Sequence, residues 1–416
     1  MSRPVVLVAL LAILVVFAAV AALTVPWHVL AGSHPHAAVS HDFSPADVSQ
    51  ERAFHAALRP MAYAGLLVGL AVAGVLGLTP LGGRLIVAAG RPFGGGWVSQ
   101  VLVGSVLVAV IGRLATLPFD LRAEAVLRDY GLSTQNWSGW LLDSAKGLAV
   151  SAVTTGLVLC AVVALARHFP RTWWALAATL VAAFVVLASF SYPLVVEPVF
   201  NRFTPMADGR LRTELLGLAQ RDGVPIRDVL VADASRRTTA LNAYVSGFGG
   251  TRRIVVYDTL LAQASRQEVE VVVAHELGHA KRGDVLHGTL LGALGAAAAV
   301  CALALLLTWP ALLRRAAVSG PGDPRMLALV LFLVMAGSLA LQPGSNLVSR
   351  RIESRADVHA MQLTCDLPSF VASQRRLALA NLSDLDPSPV VYAFFFTHPT
   401  APERLALARE YARLHC

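Results

Sequence analysis

Charged residues are scarce in this sequence. They make up 14% of its 416 residues, where an average soluble domain has roughly 25%, and hydrophobic residues make up 56%. Lysine is nearly absent, since only Lys146 and Lys281 accompany 32 arginines. The net charge of +8 is not gathered into the basic stripe that a nucleic-acid surface needs, so we expect no nucleic-acid partner. This composition excludes an ordinary soluble enzyme and is typical of a GC-rich bacterial genome.

Cysteine is also rare. The four cysteines show no paired spacing, and two of them lie inside long apolar runs. The sequence therefore predicts neither a disulfide framework nor a zinc site built from cysteines.

Long apolar runs are abundant instead. Seven windows reach the roughly 17–25 residues that a helix needs to cross a bilayer. They are 5–25, 61–80, 98–115, 146–167, 172–192, 286–309 and 326–342. The first could be a signal peptide, but Val25-Pro26-Trp27-His28 is a poor cleavage site, so we interpret it as a retained span. The sequence predicts a multi-pass protein whose partner is the lipid bilayer.

Polar segments connect the first spans. Residues 26–60 are rich in histidine, which indicates either a solvated loop or a metal-binding run, and the first is favoured. Residues 81–97 are rich in glycine and proline and are interpreted as a connector. Residues 116–145 contain several acids and aromatic residues and are expected outside the membrane. The basic residues of the short loops divide almost evenly between the two sides, so charge leaves the orientation open.

The longest interval without a span is 193–285. A helix is predicted at 211–222, and short strands are predicted at 228–232, 243–247 and 253–257. A further helix is expected over 265–282, because Ser265 is followed three residues later by Glu268 in a capping box.

That last helix contains His275-Glu276-Leu277-Gly278-His279. Residues i and i+4 share one face of a helix, so both imidazoles can bind one zinc ion. Glu276 lies beside the first histidine and can serve as general base for a zinc-activated water. Two histidines on a polar helix face without a metal are the plain alternative.

A third ligand is expected after the seventh window. Asn346, Arg350, Glu353 and Asp357 are four, three and four residues apart and share one helical stripe. Such a stripe could be only a solvated face, but beside the histidine helix it is a natural ligand source. We assign Glu353 as the third ligand, and Asp357 as the acceptor for the second ring N–H of a ligand histidine, with Arg350 near it.

The combination resembles a known family. The pattern Asn-x-x-Ser-Arg-x-x-Glu-x-x-Ala-Asp, following His-Glu-x-x-His across a pair of spans, is similar to that of the type I CAAX prenyl endopeptidases, which are seven-span gluzincins. Further segments resemble this family across residues 60–412. They are Leu117-Pro118-Phe119, Tyr130-Gly131-Leu132, 197–205, Asn242-Ala243-Tyr244 and Thr397-His398-Pro399 with Arg404.

The resemblance implies roles that the residues alone do not give. Asn242 would hold the substrate backbone at an edge strand, and His398 would stabilise the tetrahedral oxyanion. Arg404 would contact the substrate or brace the site. One zinc ion per chain is implied, together with a protein or peptide substrate that is prenylated in the family. The segment 280–284 departs from the eukaryotic pattern, and this departure bears on specificity more than on the peptidase chemistry.

The sequence thus predicts a multi-span α-helical membrane protein with a gluzincin-like α+β zinc metallopeptidase domain. Its parts would be 1–192 with five spans, 193–285 as a catalytic insertion, 286–342 as a helix pair, and 343–416 as the rest of the catalytic domain. The expected activity is cleavage of peptide bonds near the C-terminus of protein substrates. The resemblance places the site on the cytoplasmic side of the membrane, and the composition indicates a bacterial cell membrane.

Three alternatives remain. The same site could serve quality control of membrane proteins, or the protein could be a zinc-binding scaffold or transporter that hydrolyses nothing. Glu276 argues against the scaffold, because a structural site has no use for a base beside a ligand. An intramembrane site-2-type protease is disfavoured, because the segment Arg266-Gln267-Glu268-Val269-Glu270 is too charged for an apolar span.

Overall fold

The computed structural model describes residues 2–30 and 37–415 of the chain. Among the described residues, every named element of the N-terminal part is a helix. Its helices are α1 (Arg3–Thr24), α2 (Val39–Asp42), α3 (Pro45–Leu78), α4 (Pro80–Gly90), α5 (Trp97–Asp129), α6 (Trp137–His168) and α7 (Trp173–Val195).

The catalytic insertion mixes helices with one small sheet. Its elements are α8 (Glu197–Phe200), β1 (Phe203–Pro205), α9 (Arg210–Asp222), β2 (Asp228–Ala232), β3 (Ala243–Ser246), β4 (Arg253–Tyr257), α10 (Asp258–Gln263) and α11 (Arg266–Arg282). The chain then continues as α12 (Asp284–Leu306), α13 (Pro310–Ala316), α14 (Met326–Thr364), α15 (Leu367–Ala380), α16 (Pro389–Phe395) and α17 (Ala401–His415).

Seven helices of the described residues are long and apolar enough to cross a bilayer. They are α1, α3, α5, α6, α7, α12 and α14, each of which overlaps one of the predicted windows. Within this bundle α3, α5 and α6 lie side by side, α14 packs on α3, and α12 lies between α1 and α7. The multi-span fold predicted from the sequence is confirmed.

Two connecting segments differ from their prediction. The supposed loop 26–60 is helical from Pro45 onward, because Ser44 caps α3 and makes a capping box with Asp47. His34 and His36 of that segment lie outside the described residues. The supposed connector 81–97 begins as α4, since its glycines serve close packing rather than a turn. A Cβ on Gly82 would approach the backbone oxygen of Leu76 to 2.2 Å.

The sheet has the strand order β1-β2-β4-β3, so β3 is an edge strand. It pairs antiparallel with β4, which pairs parallel with β2. The strand β1 was not predicted; it is only three residues long and pairs antiparallel with β2. A separate apolar core beneath the sheet includes Leu215, Ile254, Leu277 and Phe370. The catalytic insertion therefore joins with the C-terminal helices around one core, away from the membrane bundle.

The helix α11 is fixed at both ends and along one face. Ser265 caps its start in the predicted capping box with Glu268. Gly283 ends it with φ +67°, a left-handed conformation that a glycine adopts without strain. Gly278 lies against α14, where a Cβ would meet the ring of His359 at 2.9 Å. The glycine of the histidine motif thus permits close contact between the two helices that carry the candidate ligands.

Candidate metal centre and active site

Three side chains converge where α11 faces α14. His275 Nε2 lies 3.1 Å from Glu353 Oε2 and 3.2 Å from His279 Nε2. His279 Nε2 lies 3.6 Å from Glu353 Oε1. His275 and Glu353 are buried, and His279 is largely so. The structure therefore brings together the three residues that the sequence analysis assigned as ligands.

These distances fit a zinc ion. Ligand atoms about 2.1 Å from a tetrahedral centre are about 3.4 Å apart, and the three observed separations lie on either side of that value. The site also favours a cation. Burial alone would lower the pKa of His279, but the carboxylates of Asp284 and Glu353 outweigh it and raise that pKa to about 10. The same negative surroundings stabilise a metal cation in place of the proton.

Asp357 contacts the first histidine. Its Oδ1 lies 3.0 Å from His275 Nδ1, on the ring edge opposite the convergent nitrogen, and the Asp357 side chain is completely buried. Arg404 holds the same carboxylate through its Nε at 2.8 Å and through a second, shorter contact. The arrangement agrees with the predicted orienting role of Asp357. It also favours the bracing alternative for Arg404, whose guanidinium is engaged with Asp357.

Asp284 orients the second histidine and was missed by the sequence analysis. Its Oδ2 lies 2.9 Å from His279 Nδ1, and its other oxygen pairs with Arg355. Each candidate ligand histidine therefore has its own carboxylate, and each carboxylate has its own arginine. The signal in the sequence was the segment 280–284, which was noted only for its departure from the eukaryotic pattern.

Glu276 faces open space beside this cluster. It lines both cavities that adjoin the site and makes no hydrogen bond or salt bridge with another described residue. Burial raises the pKa of its carboxyl group, with Glu353 adding to the effect. That direction suits a proton acceptor working near neutral pH.

Two cavities meet at the cluster. The α3 cavity, of about 560 Å³, extends from the site to His55 and Tyr63 on α3. The edge-strand cavity, of about 440 Å³, extends along Tyr244 and Val245 of β3. Asn242, Glu276 and His398 line both cavities, so the predicted substrate-binding and oxyanion residues lie at their junction.

His398 is close to the cluster but remains accessible. Its Nε2 lies 3.4 Å from Glu353 Oε2, and 59% of its side chain is exposed. Asn242 is exposed at the start of β3, and its backbone oxygen accepts a hydrogen bond from Tyr257 N. Both side chains are thus free to meet a substrate.

Arg350 contacts the backbone of the segment that precedes His398. Its Nη1 donates hydrogen bonds to the backbone oxygens of Tyr392 and Phe396, at 3.1 and 2.6 Å, and its guanidinium lies over the Tyr392 ring. Asn346 donates to the oxygen of Ala393 on the same helix. These buried residues hold α16 and the segment that leads to His398, so Arg350 acts on the site through that segment.

Comparison with known protein families covers most of the chain. Residues 35–202 match the model of the CAAX prenyl protease N-terminal region with five membrane helices, and residues 205–412 match peptidase family M48. The division between the two matches falls where α7 and α8 lead into the sheet.

Individual relatives agree with this assignment. The chain is 32% identical to the uncharacterized metalloprotease YhfN of Bacillus subtilis over 74% of this chain and 73% of that protein. It is 28% identical to CAAX prenyl protease 1 of Saccharomyces cerevisiae over 74% and 72%. The crystal structure of S. mikatae Ste24p superposes with a TM-score of 0.79, covering 98% of this chain and 99% of that one at 23% identity, which shows a shared fold.

Proposed function

Since the chain belongs to peptidase family M48 and is an integral membrane metalloendopeptidase, we propose that it cleaves peptide bonds near the C-terminus of protein substrates with one zinc ion per chain. The observation that carries the proposal is the position of the histidine–glutamate cluster. It lies at the junction of two cavities, with an unpaired strand edge running along one of them.

The edge strand β3 suggests how the substrate is held. An extended peptide can add to it by backbone hydrogen bonds, with Asn242 at the end of the strand nearest the cluster. The edge-strand cavity then receives the residue on one side of the scissile bond. Its lining is mainly apolar and includes Val245, Phe248 and Leu286, which suits an apolar or lipid-modified side chain.

His275, His279 and Glu353 would hold the zinc ion. When bound, zinc lowers the pKa of a water molecule and polarises a peptide carbonyl. The aspartates Asp357 and Asp284 keep both imidazoles in the tautomer whose Nε2 is free to bind the metal.

The remaining chemistry belongs to Glu276 and His398. Glu276 accepts the proton of the water that attacks the peptide carbonyl carbon, and it returns this proton to the nitrogen of the leaving amine. His398 donates a hydrogen bond to the carbonyl oxygen as negative charge develops on it. The accessible position of His398 at the junction of the cavities leaves room for that oxygen.

A cleavage assay tests the proposal. Purified protein is incubated with a farnesylated CAAX peptide and with the same peptide lacking the prenyl group, and the cut bonds are identified by mass spectrometry. We expect cleavage near the C-terminus, faster for the prenylated peptide, and strongly slowed in a Glu276→Gln control. Equal cleavage of both peptides at internal bonds would refute the CAAX-type specificity and favour a quality-control protease. Cleavage of neither peptide by zinc-loaded protein would count against the proposed cleavage near the C-terminus of the substrate.

We further propose that the site faces the cytoplasm of a bacterial cell. Because α12 and α14 form one out-and-back pair, the catalytic insertion and the C-terminal helices share one side of the membrane. Single cysteines placed at Arg210 and Glu410, in a chain without its native cysteines, should both resist a membrane-impermeant reagent on intact cells. Labelling of both cysteines would place the site outside the cell. Labelling of only one would contradict the proposal that the catalytic insertion and the C-terminal helices lie on the same side of the membrane.

A further inference from the structure

A third cavity lies behind the catalytic cluster, on the opposite side of α14 from β3. Its volume is about 530 Å³, and we call it the basic cleft. It is lined by Trp27 beyond α1, by Arg350 and Arg351 on α14, and by Glu403 and Arg404 on α17. The catalytic chemistry described above does not use this space.

The charge of the basic cleft is unbalanced. Three arginines line it among the described residues, and Glu403 is the one acid. Arg404 is neutralised by Asp357, whereas Arg350 donates only to backbone oxygens. That carboxylate already accepts hydrogen bonds from the Tyr392 hydroxyl at 2.8 Å and from Thr400 N at 2.7 Å. Arg351 is exposed and forms no salt bridge with a described residue. A negatively charged ligand would therefore find an unneutralised guanidinium here.

The cleft lies beyond the apolar end of the seventh span, within reach of the lipid headgroups for a long side chain. The apolar part of α14 ends near residue 342, so Leu347 lies about 8 Å and Arg351 about 14 Å further along the helix. The headgroup layer extends about 5–7 Å beyond the hydrocarbon core, and a long arginine side chain can reach back to it. Trp27 follows the end of α1 by three residues and is 39% exposed, as expected of a side chain at the membrane interface.

We infer that the basic cleft binds the phosphodiester headgroup of an anionic phospholipid. Basic pockets between membrane helices recognise such headgroups by charge, and the guanidinium fork matches phosphate geometry. Arg351 supplies the open charge, and Arg350 and Trp27 form the walls around the headgroup. The lipid would contact the rear of the segment that carries His398, because Tyr392 and Pro399 also line the cleft.

Lipid titration of the full-length protein in detergent tests this inference without any measurement of hydrolysis. Dioctanoyl phosphatidylglycerol and dioctanoyl phosphatidylcholine are titrated separately, and bound lipid is counted by native mass spectrometry. We expect tighter binding of the anionic lipid. Arg351→Gln removes one positive charge and should weaken binding of the anionic lipid about five-fold. Arg351→Glu changes the charge by two units and should weaken this binding about twenty-five-fold, since each unit contributes a similar factor. Arg315→Gln, an exposed arginine on α13 at the other membrane face, is the matched control and should bind as the parent does.

Three results would overturn the inference. They are equal affinity for the two lipids, unchanged phosphatidylglycerol binding by folded Arg351→Gln, or an equal loss in the Arg315 control. Inorganic phosphate provides the last comparison. If it displaces phosphatidylglycerol at the lipid's own concentration, the cleft is a site for free anions and not for a lipid.

Discussion

Removal of the Asp284 carboxylate should weaken zinc binding without removing any ligand. In the structure this carboxylate accepts from His279 Nδ1 at 2.9 Å and pairs with Arg355. Its side chain is only 10% exposed and that of His279 18%, so water cannot fully replace the lost oxygen. Without Asp284 the imidazole is no longer held in the tautomer that presents Nε2 to the metal.

The expected loss of zinc affinity follows from this contact. Loss of a carboxylate behind a ligand histidine lowers metal affinity about 10–100-fold, or about 1.4–2.8 kcal/mol. Asp284→Asn keeps an acceptor oxygen, so its loss of affinity should be about 10-fold. Asp284→Ala removes the acceptor and takes from Arg355 its carboxylate, so its loss of affinity should be about 100-fold.

Competition with a chromophoric chelator measures zinc affinity in each variant, and thermal unfolding of the metal-free protein checks the fold. Asp228→Asn is the matched control, because Asp228 also pairs with an arginine of the catalytic insertion, Arg212, but lines neither cavity of the site. The reasoning fails if Asp284→Ala binds zinc as tightly as the parent protein while its metal-free stability is unchanged.

Three further predictions concern the proposed base Glu276, the segment that carries His398, and the start of α11. Glu276→Gln should keep its zinc but lose about 10²–10⁴ in turnover, as measured by peptide hydrolysis beside metal analysis; substantial residual activity would point to another base. Arg350→Ala should lower kcat with little change in KM, because the segment carrying His398 loses its anchor, and Arg350→Lys should restore part of the rate; a change in KM alone would contradict this role. Glu268→Gln should lower the thermal midpoint at neutral pH. Burial acts to raise the pKa of Glu268, but hydrogen bonds from Arg376 and the helix cap outweigh it and lower this pKa below 4.5. The stabilisation by the charged carboxylate therefore exists above that pH and is lost as the pH falls. The thermal midpoints of parent and variant should converge in acid, and a constant difference between them would refute the argument.

The parts of the site that could be predicted from the sequence are those with local periodicity. His275 and His279 are one helical turn apart, and the capping box at Ser265 marks where their helix begins. Glu353 and Asp357 lie on one stripe of α14, so their shared face followed from spacing alone. The edge strand was predicted at 243–247 and ends one residue earlier in the structure.

Other features of the structure depend on contacts that local periodicity does not encode. Asp284 follows Gly283, whose left-handed conformation redirects the chain, so its approach to His279 has no signature in helical spacing. Arg350 shares the stripe of Glu353, yet its partner is a backbone segment 42–46 residues away. Gly82 was taken as a sign of a connector because a glycine that permits close packing looks the same in sequence as a glycine in a turn.

The helix α14 has a mechanical consequence. It is a single rod of 39 residues that begins in the bilayer and carries Glu353 in its second half, with Pro343 between the two parts. Glu353 lies ten residues beyond Pro343, a lever arm of about 15 Å. A tilt of about 4° at that proline would displace the Glu353 carboxylate by about 1 Å, enough to pull it out of a coordination sphere whose bonds are about 2 Å long. The position of Glu353 is therefore coupled to the angle at which the seventh span crosses the membrane. For the proposed zinc site, bilayers of different thickness should change the rate at which zinc dissociates.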